Sequence, residues 1–259
     1  MYVRTAYITV LSWRQTKEVF DVMPTHQEAH PHSLNRLLAN LPSQELTALL
    51  PHLEQVSLSH GQPIILPYEP IPFVYFPLNS LLSLVTVLED GSTVEARAIG
   101  REGMSSLPIL LDAGTTPMQT VTQIPGQALR VKAEIIKEAF DKGGALRHII
   151  HRYIHTTLVV ASQTAACNRF HRVEARLCRW LLMSSDGIGK EDLFLTHDFL
   201  ATMLGVRRAG VSEAASQLQS QGLIRYQRGR IQIVDRKGLE TSACECYEAV
   251  KAEYVRLFG

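Results

Sequence analysis

Arginines crowd the C-terminal part of the sequence at a spacing suited to gripping a polyanion. Between Met203 and Lys237 lie seven Lys or Arg (Arg207, Arg208, Arg225, Arg228, Arg230, Arg236, Lys237) against two acids (Glu213, Asp235), on a chain of formal net charge +1. Positive charge concentrated in one segment is the electrostatic footprint of a duplex binder. The other donor sets are weaker. His148, His151 and His155 share a helix face, a spacing that can hold a divalent ion, but no carboxylate or cysteine accompanies them at matched spacing. Cys244-Glu245-Cys246, read as helix, sets its thiols about 200° apart, a poor chelate. Cys167 reads as a free buried cysteine. No metal site is therefore predicted. Gly-x-Ser-x-Gly, His-Glu-x-x-His and P-loop motifs are absent from the sequence, which argues against an enzyme.

The elements that would hold the arginines run from Thr196 to Ile233. Phe199, Leu200, Met203 and Leu204 recur at helical spacing behind a Thr196 cap, and Gly205 supplies a left-handed stop. Val206 plugs the corner. A second helix starts near Arg207 with Val211, Ala214, Ala215 and Leu218 inward. Ala201, Gly205 and Val211 are spaced as in a helix-turn-helix, where a small residue lets two helices cross closely. Gly222 to Tyr226 and Gly229 to Ile233 follow as two alternating strands about a turn at Arg228-Gly229, which completes a winged helix.

A chain of 259 residues is comfortable for two cores, and 46% hydrophobic with 20% charged residues is ordinary globular composition. No apolar run reaches the ~18 residues needed to span a bilayer. The N-terminal YVRTAYITVL is interrupted by Arg4 and lacks a cleavage site, so no signal peptide is predicted, and either Met1 or Met23 can serve as the start. Four scattered cysteines make no disulfide framework and fit a reduced cytoplasm. Residues 1–30 read as an extension. Residues 31–142 read as helical turns and then an antiparallel β-roll over about 53–131, with Asp90-Gly91 as a hairpin tip and six prolines between Pro63 and Pro108. A further helix covers Lys132 to Asp141. Residues 143–169 hold a long helix whose Leu146, Ile150, Tyr153, Thr157, Val160, Thr164 and Cys167 alternate at spacings of four and three, a coiled-coil seam that predicts a homodimer. Residues 170–259 hold the winged helix, opened by a helix over Phe170 to Met183 with Arg169, Arg172, Arg176 and Arg179 on its polar sides. A helix from Leu239 to Phe258 closes it. The fold class is α+β.

This order, and LTHDFLATMLGVRRAGVSEAASQLQSQGLIRYQRGRIQIVD (195–235) above all, resembles the Crp/Fnr family of bacterial transcription regulators. The resemblance implies a cyclic-nucleotide-binding-like β-roll, a dimerisation helix and a winged helix that binds promoters as a homodimer and contacts RNA polymerase. Nucleotide-binding members carry Gly-Glu for the ribose and Arg-Ser/Thr-Ala for the phosphate. Here those regions hold Arg101, Glu102 and Gly103, and Met118 and Gln119, with Met118 near the place of the arginine. These five residues mark the effector pocket. Losing a bidentate arginine argues against cyclic AMP. No cysteine precedes Cys167, which argues against the family's N-terminal iron–sulfur cluster, so no cofactor is predicted. The family's base-contacting positions fall on Arg208, Ala209 and Glu213, so the half-site should differ from that of the cyclic-AMP receptor protein. Arg208 can grip a guanine. Arg207, Ser212, Thr196, Arg228 and Arg230 suit phosphates. The competing reading is a ligand- or metal-binding sensor whose winged helix docks a protein partner.

Overall fold

The computed structural model describes residues 31–259, so the expected extension over 1–30 and the choice of start lie outside the described residues. A 3-10 turn (Pro31–Leu34) leads into α1 (Arg36–Ala39) and α2 (Ser43–Leu49). Buried Asn35 joins them to the roll. Its Oδ1 accepts from the Leu37 and Leu38 amides while its Nδ2 donates to the Pro77 and Gly103 carbonyls, leaving no polar atom of that side chain stranded.

The roll is built from β1 (Glu54–Leu58), β2 (Pro63–Ile65), β3 (Phe73–Pro77), β4 (Leu81–Val87), β5 (Thr93–Ile99), the short helix α3 (Leu107–Leu110), β6 (Gln119–Ile124) and β7 (Gly126–Lys132). Two antiparallel sheets form, β1-β7-β3 and β2-β6-β4-β5. The β4–β5 hairpin turns where Asp90-Gly91 predicts it: Gly91 sits at φ 81°, and Asp90 Oδ1 accepts from the Ser92 amide at 2.9 Å. Leu58, Tyr75, Leu82, Ile99 and Ala128 form a buried cluster within the roll.

Helices α4 (Ala133–Asp141) and α5 (Gly144–Phe170) follow, separated by Lys142 and Gly143, with Gly143 and Gly144 both at positive φ. Then come α6 (Val173–Ile188), β8 (Asp192–Phe194), α7 (His197–Leu204), α8 (Arg208–Ser220), β9 (Ile224–Gln227), β10 (Arg230–Ile233), α9 (Arg236–Ser242) and α10 (Cys246–Phe258). The winged-helix core is continuous with one wall of the roll: Leu81, Val85 and Ile124 pack in the same cluster as Leu177, Leu181, Leu200, Val211 and Ile231.

Four expectations are corrected. Helix α6 runs through Ser184 to Gly187 and stops at Gly189 in the left-handed region. Gly187 is tolerated inside it because Gly100 of the roll approaches there, where a Cβ on Gly100 would lie 2.3 Å from Gly187 Cα. The C-terminal helix is two helices, broken at Ala243 to Glu245. The seam of α5 faces its own chain: Leu146, Ile150, Tyr153, Val160 and Cys167 are buried with no second copy present. Tyr153 explains part of this, because its hydroxyl donates to the Met104 carbonyl (2.9 Å) and accepts from the Met104 amide (3.0 Å) and Arg97 (2.7 Å). Lastly, Arg176 and Arg179 are buried where α5 and α6 meet, not spread on a polar face.

Candidate nucleic-acid interface

Local sequence builds the helix-turn-helix and its wing, the head of the chain. Thr196 Oγ1 accepts from the Phe199 amide at 3.2 Å, so α7 starts on its predicted cap. Gly205 ends it at φ 61°, a backbone that side chains adopt at a cost. Ala201 is buried at the α7–α8 crossing, and Val211, Ala214, Ala215 and Leu218 form the inward face of α8. The wing pairs Arg230 with Gln227 and Ile233 with Ile224 around Arg228 (φ 50°) and Gly229 (φ 78°). Strand β8 adds a third member, in the order β8-β10-β9, which the sequence reading missed.

The predicted contact residues cluster on one end of this head but differ in readiness. Thr196, Arg207, Arg208, Ala209, Glu213, Arg228 and Arg230 are exposed, and Ser212 is half-buried. Arg208 Nε lies 3.0 Å from Asp198 Oδ1 of α7. Arg230 is paired bidentately with Asp192 of β8 and lies over the Phe194 ring. Ser212 Oγ is held by His197 Nδ1 at 2.9 Å, so its expected role as a phosphate donor is reduced. His197 in turn stacks on Tyr226 with ring centroids 4.2 Å apart. Burial, aided by the Arg208 charge, holds His197 below the ordinary histidine range. Sequence reasoning counted Arg225 in the local charge but assigned it no contact, and did not select His197. Arg225 follows buried Ile224 on an alternating strand, so the period-two pattern was the available signal.

Comparison with known proteins addresses this head directly: residues 175–242 match the Crp-like helix-turn-helix domain. The chain carries a Crp-like helix-turn-helix domain. Solved structures agree over most of its length. A Crp/Fnr family transcriptional regulator from Eubacterium rectale has TM-score 0.62 at 17% identity, covering 81% of this chain and 98% of that one. The c-di-GMP-responsive global regulator CLP of Xanthomonas campestris gives 0.59 at 16%, over 74% and 99%. TTHB099, a CRP family regulator from Thermus thermophilus, gives 0.60 at 17%, over 73% and 96%. At such identities the likeness is one of fold, and that fold is the Crp-family transcription-regulator fold. No curated protein matches the sequence.

The Crp-like head is seated on the roll through β5. Trp180 of α6 donates to Glu95 Oε1 at 2.9 Å, and Ser83 donates to Glu95 Oε2. Burial pushes the Glu95 carboxyl above the ordinary carboxylate range. Arg176 reaches the Leu204 carbonyl at the end of α7, and Asn168 Oδ1 of α5 at 2.8 Å. Arg179 reaches Thr164 Oγ1 at 2.8 Å. Helix α7 of the Crp-like head is thereby tied to both the roll and the long helix.

The five predicted effector residues are not brought together. Gln119 pairs with Val85 at one end of β4, while Leu82, near the other, pairs with Ile99 just before Arg101. Arg101 packs on Gly189, and Gly103 is closed off by Tyr153, whose Oη would lie 2.1 Å from a Cβ there. Glu102 accepts from the Gly100 amide at 2.8 Å, and burial raises its carboxyl above the ordinary range. Of the five, Glu102 alone lines a cavity of about 220 Å3, beside Arg36, Arg97, Asp186, Arg236 and Tyr254. The histidine triplet also disperses. His151 packs edge-on against Phe140, His155 Nε2 meets Glu253 at 2.7 Å, and His148 is exposed.

Proposed function

We propose that the chain is a sequence-specific DNA-binding transcription regulator, not an enzyme, that acts as a homodimer in the cytoplasm under the control of an effector and contacts RNA polymerase. The observation that carries this reading is a set of exposed arginines, Arg207 and Arg208 at the start of α8 and Arg225 and Arg228 on the wing, on a winged helix with a buried apolar core. Such a distribution suits a recognition helix in the major groove with a wing on the adjacent backbone.

The homodimer is proposed on a face of α5 other than the predicted one. His151, His155, Leu158, Ser162, Ala165 and Arg169 are all exposed and alternate at spacings of four and three. Leu158 and Phe170 are 63% and 76% exposed, large apolar surface on a helix already packed on its opposite side. The two heads of such a dimer would have to lie about 34 Å apart to enter successive major grooves, one turn of duplex. Effector control is proposed through the cavity beside Arg36, Arg97 and Arg236, which touches the roll, α5, α6 and α10 together. Among the described residues no helix is long and apolar enough to cross a membrane.

Electrophoretic shift of random duplex at low salt, with light scattering to count chains per complex, tests the reading. Retarded DNA carrying two chains per site is expected. A monomer that leaves DNA unshifted, with and without cell extract to supply an effector, would refute it.

A further inference from the structure

Four side chains with metal-binding atoms meet where the long helix ends. Cys167 is in the last turn of α5 and His171 is its C-cap, while Cys244 lies in the break before α10 and Cys246 is the first residue of that helix. The Cys167 and Cys244 sulfurs are 3.5 Å apart, Cys246 Sγ is 3.6 Å from His171 Nδ1, and all four donor atoms lie within 4.8 Å of one another. The sequence-based objection to Cys244 and Cys246 assumed a helix through both. The helix begins only at Cys246, so both thiols can turn to one point.

We propose that Cys167, His171, Cys244 and Cys246 form a closed, tetrahedral site for one zinc ion, which pins the α5–α6 corner to the C-terminal helix.

Three features favour an ion over four idle side chains. The first is size. Around tetrahedral zinc with bonds near 2.3 Å, sulfurs stand about 3.8 Å apart, so the observed spacing needs adjustments of no more than about 1 Å. Donors on the separate irons of an iron–sulfur cluster would stand further apart than atoms sharing one ion. A Cys167–Cys244 disulfide would need the sulfurs at about 2.05 Å, and would leave Cys246 and His171 unemployed. The second is orientation. His171 Nε2 faces Glu245 Oε1 at 3.2 Å, which places the ring proton on Nε2 and leaves the Nδ1 lone pair towards the sulfurs. A carboxylate behind a ligating histidine is the usual outer shell of zinc. The third is charge. Zinc with three thiolates and a neutral imidazole carries one net negative charge. Buried Arg176 and Arg179, whose Nε atoms have no hydrogen-bond partner among the described residues, lie close enough to act electrostatically on Cys167. Three soft thiolates with one imidazole select zinc over magnesium or calcium.

All four ligands lie outside residues 175–242, so the Crp-like domain does not require them. The ion would act on the corner between the roll's long helix and the head, and would hold α10 alongside α5. This proposal is independent of DNA binding.

The full-length chain, reduced and stripped with a chelator, is titrated with Co2+ and then with Zn2+. One Co2+ per chain is expected, with the intense visible bands of a tetrahedral thiolate site, displaced by one Zn2+. Cys167→Ser and Cys246→Ser should lose those bands. Because those changes are buried, Glu245→Ala is the companion variant. Its side chain is exposed, and it should fold normally while binding Zn2+ about 10–100-fold more weakly. Cys178→Ala, at a buried thiol of α6 outside the set, should bind as the parent does. A folded, reduced parent chain that takes up no Co2+, or takes it up with only the faint spectrum of an octahedral aquo site, overturns the proposal. So does Glu245→Ala binding Zn2+ as tightly as the parent, or a Cys167–Cys244 disulfide whose reduction still leaves no metal uptake.

Discussion

Replacing Arg208 is the sharpest test of the proposal that the head reads sequence. Arg208 is the first residue of α8, and its guanidinium is mostly exposed, 3.0 Å from Asp198. An exposed pair of this kind contributes about 0.2–1 kcal/mol. A bidentate grip on guanine O6 and N7 is worth about 1–3 kcal/mol of discrimination, so the base contact outweighs the ion pair it must displace. Arg208→Ala should therefore cut the preference at one base pair by about 1–3 kcal/mol, or about 5–140-fold. Random duplex should weaken only as the loss of one cation requires. Asp198→Asn should act in the opposite direction, freeing Arg208 and tightening both cognate and random DNA by about 0.2–1 kcal/mol. The assay is fluorescence anisotropy on an operator selected from a random library, with all its single-base variants, at one fixed salt concentration because affinity moves steeply with salt. If Arg208→Ala weakens the operator and every variant equally, the residue holds phosphate and does not read a base. If Asp198→Asn weakens binding, the carboxylate positions Arg208 instead of competing for it.

At the wing tip, Arg228→Ala should lower affinity for all sequences and reduce the slope of log K against log salt by about 0.9, one phosphate contact; an unchanged slope would take the wing off the DNA. Tyr153→Phe keeps the ring but strands two buried donors, the Met104 amide and an Arg97 N–H, so urea unfolding should show about 2–6 kcal/mol lost. A loss under about 1 kcal/mol would mean that water replaces the hydroxyl. Burial raises the Glu95 carboxyl above its ordinary value of 4.5, so the folded chain holds a proton that the unfolded chain releases. Its stabilising effect is full below pH 4.5 and is lost as pH rises towards the raised value. Glu95→Gln still offers Trp180 an acceptor, and its melting temperature should fall less steeply with rising pH than the parent's. Glu102, also raised, should leave a residual slope; equal slopes in parent and variant would place the effect away from Glu95.

The helix-turn-helix and its wing were legible because their signals are local. The Thr196 cap, the Gly205 stop, the inward stripe of α8 and the Arg228-Gly229 turn each involve residues a few positions apart, and all four lie where the sequence puts them. The partners of the arginines were not legible. Asp198 stands ten residues before Arg208, across the corner, and Asp192 is thirty-eight residues from Arg230, on a strand that only wing pairing brings alongside.

Helix α5 marks the division most clearly. Its existence and approximate ends follow from the sequence alone, through helical periodicity closed by the Gly143-Gly144 pair. Which face looks inward does not follow, because two stripes share the same spacing: Leu146, Ile150, Tyr153, Val160 and Cys167, and His151, His155, Leu158, Ser162 and Ala165. Periodicity records that a helix is two-sided, and only the roll, by supplying Met104 and Arg97 to the Tyr153 hydroxyl, decides which side is covered. The cysteines follow the same rule. Residues 167 and 171 are one helical turn apart, as any sequence shows, but their meeting with 244 and 246 depends on a three-residue break and on the packing of α10 against α5. Hydrogen bonding within a turn is written into neighbouring residues. Contact between distant segments depends on which apolar surfaces bury each other, and that is settled only by the folded chain.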